Sequence, residues 1–227
     1  MLKIHMLKNQ YQTQCKTVIK KVIFGILLTL SSTSFADDKP SLIADLQTTW
    51  AKIKYQMPVS NQEYAFQTLA KRSQAAIEAS PQDAAAWVWH GIILSSWAGE
   101  KGGLGALKLV KQAKAALEMA IKLDAHVLDG SAYTSLGALY YKVPGWPIAF
   151  GDKDKARDYL KQGLSFNPDG IDSNYFYGDF LAQHGDDAQA RNVLQHALEA
   201  APRAQRPIAD QGRRREIQQR LSTLNAH

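Results

Sequence analysis

The sequence predicts an all-α protein, a right-handed superhelical stack of helix pairs (an α-solenoid) with irregular insertions between paired helices. Small residues recur at the places of a helix-pair repeat of about 34 residues in three successive windows, two of them lengthened by an insertion between the paired helices. No stretch sustains the period-two alternation of a half-buried strand, and 45% apolar content with modest charge is that of an ordinary globular chain.

Residues 1–36 come first and stand apart. Lys3, Lys8, Lys16, Lys20 and Lys21 give them +5 of the formal +6, with no acid among them. A basic stretch, a nine-residue apolar run from Val22 to Leu30 and the small-residue end Ser-Ser-Thr-Ser-Phe-Ala have the layout of an export signal. Cleavage is expected after Ala36. Nine residues fall far short of the roughly 20 needed to span a bilayer, so no stable membrane span is expected afterwards. Residues 37–227 are read as one domain, in the periplasm or secreted. They hold 22 basic and 21 acidic side chains, too balanced for binding by phosphate neutralisation, so nucleic acid is not an expected partner. Cys15, the only cysteine, precedes the apolar run, so packing rather than disulfides must stabilise the domain.

Two helices are expected over 41–80. Leu42, Leu46, Trp50 and Ile53 form one amphipathic stripe. Ser60 to Glu63 reads as a capping box opening a second helix that buries Phe66, Leu69, Ala76 and Ile77. A first repeat over about 84–125 carries Trp87, His90, Gly91 and Leu94 on one helix and Ala113, Leu117 and Ala120 on the next. Its second helix arrives ten residues late, after a stretch from Trp97 to Ala106 with four glycines. A second repeat, about 130–170, has Tyr133, Leu136, Gly137 and Tyr140, then Ala156, Leu160, Gly163 and Pro168, seven residues late because residues 142–152 hold two prolines and two glycines. The third, 171–204, is uninterrupted: Asn174, Tyr177, Gly178 and Leu181, then Ala190, Leu194, Ala197 and Pro202. Glycine and alanine at these places let two helix backbones approach while larger side chains fill the seam. A capping helix is expected over about 207–225, with Ile217, Leu221 and Leu224 as a thin seam and Arg213, Arg214, Arg215 and Arg220 solvated. Asp129, Asp152 and Asp172 each precede an expected helix and suit N-capping.

Over residues 84–204 this pattern resembles the tetratricopeptide repeat superfamily. That resemblance implies a protein-binding or scaffold module. The concave face of such repeats is lined by first-helix residues one step off the seam, and the mapping gives Ile92, Ser95, Thr134, Tyr141, Tyr175 and Asp179 as partner contacts; Trp146, in the proline-rich insertion, joins them as a large rigid aromatic. A second, weaker resemblance is to the T component of bacterial TRAP transporters, carried by Gly137 to Tyr141, Pro144 to Pro147, Gly151 to Ala156 and Asn167-Pro168. It implies a carrier that holds or hands over a small apolar ligand. The expected partner is another protein or peptide.

Chemistry has little to build on. Gly-x-Ser-x-Gly, a cysteine beyond residue 36 and close His/Cys ligand groups are all missing from the sequence. His90 falls on the seam and reads as a packed core histidine. Gly102 to Gly105 follows a helix instead of a strand, which disfavours a phosphate cradle. No catalytic, metal or cofactor residue is expected.

Overall fold

The computed structural model describes residues 41–224; the expected export signal and Cys15 lie outside these. The described residues form nine helices and no strand: α1 (Leu42–Gln56), α2 (Val59–Ala79), α3 (Ala84–Lys101), α4 (Gly103–Leu123), α5 (Val127–Lys142), α6 (Lys153–Phe166), α7 (Ile171–Gln183), α8 (Asp187–Glu199) and α9 (Pro207–Leu224). Pairs α3/α4, α5/α6 and α7/α8 are the three repeats, and the first helices α1, α3, α5 and α7 pack side by side in one inner row.

One contact recurs in each repeat and explains the spacing of small residues. A Cβ at Gly91 would stand 2.6 Å from Leu117 Cγ, one at Gly137 2.6 Å from Leu160 Cγ, and one at Gly178 2.7 Å from Leu194 Cγ. Those three leucines are fully buried, so each glycine is the socket for the leucine of its paired helix. Gly178 also lies against the Ala190 carbonyl, as the close approach of paired backbones requires.

Side-chain caps form where a carboxylate or hydroxyl stands just outside a helix. Ser41 Oγ accepts from Ala44 N at 3.2 Å, and Asp83 Oδ1 from Ala85 N at 2.9 Å. Asp152 Oδ1 accepts from Asp154 N at 3.0 Å and Lys155 N at 3.1 Å, which satisfies two free donors of α6. Two other expected caps do not form. Leu128, Asp129 and Gly130 all have positive φ, 49°, 52° and 73°, at the start of α5, so Asp129 is part of a left-handed turn and caps nothing. Asp172 lies inside α7, behind the N-cap Gly170, and its carboxylate is engaged elsewhere. The capping box at Ser60 is not made either. The helix begins two residues earlier, after Pro58, without a side-chain cap, and Glu63 pairs with Lys101 Nζ at 2.9 Å instead.

The two insertions differ. The ten extra residues of the first repeat lengthen α3 and α4, and the only break is at Gly102 and Gly103, with φ of 62° and 56°. The second insertion remains a loop. Gly151 N donates to Pro144 O and Asp152 N to Tyr140 O, both at 2.9 Å, and Phe150 packs edge-on against Tyr140. This anchoring leaves Trp146 90% and Ile148 61% exposed. No described helix is long and apolar enough to cross a membrane.

Candidate functional site

α9 does not stand off as a solvated cap. It packs against α1, α7 and α8, so it joins the first and last members of the inner row. Two arginines set its position. Arg213 Nε is 2.8 Å from Asp172 Oδ1, and Arg220 Nε is 3.0 Å from Asp179 Oδ1. Seven residues separate the members of each like-charged pair, two turns of helix, so each arginine meets its own carboxylate along a single face.

The arginine run predicts a solvated Arg213, yet this side chain is 8% exposed. Its guanidinium lies 4.2 Å from the Tyr175 ring centre and 4.7 Å from that of Phe176. Its Nη1 donates to Glu216 Oε2 at 2.6 Å, and the Tyr55 hydroxyl donates to that same oxygen at 3.2 Å. Asp172 is shared, accepting from Arg213 Nε and, at its other oxygen, from Arg203 Nη1 at 2.8 Å. Burial alone would raise the Asp172 carboxyl; Arg213, Arg203 and Arg206 outweigh burial and hold it far below the usual carboxylate range. Burial likewise pushes the Tyr175 hydroxyl up to about 12, against the opposing pull of Arg213. Opposite these charges Gly212 faces Tyr55, and a Cβ on Gly212 would fall on the tyrosine ring. Arg214 turns the other way and donates to the carbonyls of Leu198 and Ala200 at the end of α8.

The residues assigned to the concave face divide accordingly. Tyr141, Tyr175 and Asp179 come together at this interface: the Tyr141 hydroxyl donates to Asp179 Oδ2 at 2.8 Å, and Lys142 Nζ stands 3.3 Å from the same oxygen. Ile92 and Ser95 are half-buried on α3, with Ser95 Oγ donating to its own helix at Gly91 O, 2.8 Å away. Thr134 is buried against Gly163 in the α5/α6 seam. Trp146 stands alone on its loop. Sequence reasoning misses that the groove is occupied by α9, through Gly212, Arg213 and Arg220, and that Tyr55 and Asp172 receive it. The matching seven-residue spacings of the aspartates and arginines are the signal that could have revealed this.

A second feature lies between α2, α3 and α4, a shallow open cleft of about 310 Å³ bordered by Gln74, His90, Trp97 and Gln112. Of these His90 reaches inward, its Nδ1 2.8 Å from Ser73 Oγ, a residue that does not line the cleft. The pair is not poised as nucleophile and base. The Ser73 hydroxyl donates to Ala70 O at 3.0 Å, so its proton is committed and Nδ1–H must donate to the serine. Ser73 is also wholly buried. Burial lowers the His90 pKa from 6.5 to about 4, as expected for a histidine kept neutral in a core. Among the described residues no three His, Cys, Asp or Glu side chains gather closely enough to hold a metal.

Residues 148–208 match the family model of the tetratricopeptide repeat. Among solved structures the chain is similar to a thermophilic TPR protein of Thermus thermophilus, at 15% identity and a TM-score of 0.42, over 81% of this chain and the whole of that one. No curated protein matches the chain. The family match runs from the loop before α6 to the start of α9 and takes in the glycine–leucine socket of the third repeat, so residues 148–208 carry the tetratricopeptide repeat pattern.

Proposed function

We propose that this protein is a non-catalytic binding module that works in the periplasm, where it holds a partner protein. One observation carries the reading: a stack of helix pairs whose inner face grips a helix, α9, by paired charges and stacked aromatic rings. Repeat stacks present preformed side chains over a long surface, so little ordering entropy opposes association. The second contact surface is the anchored loop carrying Trp146 and Ile148. A rigid, exposed tryptophan supplies large contact area at low entropic cost, and the backbone hydrogen bonds at Gly151 and Asp152 hold the loop independently of those two side chains.

The test is cross-linked capture from the envelope fraction of the native host with the tagged chain, followed by titration of the purified partner. Trp146→Ala combined with Ile148→Ser is expected to weaken partner binding at least tenfold. The melting temperature should stay within about 2 °C, as for changes at exposed positions. Failure of the unaltered chain to bind any envelope protein saturably would end the reading.

A further inference from the structure

α9 has the physical make-up of a bound ligand more than of a core helix. A core helix is retained by a broad apolar stripe, yet the buried residues of α9 are Ala209, Asp210, Gly212, Arg213, Ile217 and Leu224, with only two large apolar side chains among them. Its register comes from the two arginine–aspartate pairs, which fall in the same order along both helices, so α9 runs parallel to α7 there. Pairs of this kind contribute specificity more than net stability, because the attraction is offset by the cost of taking both charges out of water. Residues 200–206, which contain no helix, connect α9 to α8.

Gly212 adds a further criterion. Glycine inside a helix is unfavourable relative to alanine, and here a Cβ would fall on Tyr55. The groove therefore selects a helix with no side chain immediately before its first arginine.

We propose that α9 is an exchangeable occupant of the inner groove, and that the groove's partner is a protein helix of the same chemistry, with a glycine followed at once by an arginine and a second arginine seven residues later, which binds by displacing α9. This rests on the protein-binding reading above and names the partner's chemistry. Asp172 and Asp179 would take the incoming arginines, Tyr175 and Phe176 would stack on the first, and Tyr55 would close over the glycine.

A labelled peptide of residues 207–224, titrated into the full chain and followed by fluorescence anisotropy, tests this without any partner, so its failure leaves the protein-binding reading standing. Gly212→Leu in the chain, which forces the resident helix off Tyr55, should raise affinity for the unaltered peptide at least tenfold. A peptide carrying Arg213→Gln and Arg220→Gln should lose at least tenfold on that same chain. Hydrogen exchange on the unaltered chain should show α9 amides exchanging well ahead of those of α3 and α5. Equal peptide affinity for the Gly212→Leu and unaltered chains, or equal binding of both peptides, overturns the proposal. So does α9 exchanging in step with α3 and α5, or loss of the helical circular-dichroism signal of the repeats in Gly212→Leu, since either makes α9 part of the core.

Discussion

His90 shows how one buried side chain ties stability to acidity. Its pKa is 6.5 when exposed and about 4 in the fold, so between those values the unfolded chain binds the extra proton and the folded chain does not. Stability is therefore complete above about pH 6.5 and falls as pH drops towards 4, by about 3 kcal/mol for a shift of this size. Denaturant titrations from pH 7 to 4 should show this loss, and a His90→Gln chain should lack most of it; equal slopes in the two chains would refute the account. Asp172 adds a lower window of the same sign. Its folded pKa is depressed below the ordinary value of 3.8, so its contribution is present above that value and lost as pH falls further. The seam position of His90 is readable from the repeat register. Its serine partner is not, because Ser73 belongs to a helix outside the recognised repeats.

At the scale of the helix, glycine has opposite meanings in two places that composition does not distinguish. Gly178 is the socket for Leu194, whereas nothing lies within 4 Å of a Cβ at Gly99. Alanine gains about 1 kcal/mol over glycine in a helix interior, and overpacking costs about 1–3 kcal/mol. Gly99→Ala should raise stability by up to about 1 kcal/mol, and Gly178→Ala should lower it by up to about 2 kcal/mol once its own propensity gain is subtracted. Chemical denaturation of the two variants measures both signs, and a stabilised Gly178→Ala would refute the socket. The sockets are legible because three copies repeat them. The extension of α3 and α4 is not: four glycines between Trp97 and Ala106 read as a break, while only Gly102 and Gly103 adopt left-handed backbone. Gly99 is simply accommodated within the helix.

For the molecule as a whole, pairing of sequence neighbours is readable and the return of α9 is not. Local pattern reports which face of a helix is apolar, and consecutive helices in a repeat stack touch by construction. Arg213 and Asp172 are 41 residues apart, and apart from the shared seven-residue spacing to Arg220 and Asp179 nothing near either residue announces the other, so the arginine run reads as solvated charge. The same reasoning places Tyr141, Tyr175 and Asp179 on the inner face but cannot show what covers them. An open stack behaves as a one-dimensional array in which end units fray first. Here α9 touches α1 as well as α7 and α8, through Tyr55 with Glu216 and Gly212. Calorimetry of residues 37–227 should therefore give a single transition whose calorimetric and van't Hoff enthalpies agree, and separate melting of the first repeat would contradict it. Tyr55 thus acts as the buckle of a belt. While the clasp is shut there is no loose end from which unzipping can start, and one tyrosine against one glycine turns a string of modules into a closed loop of mutual support.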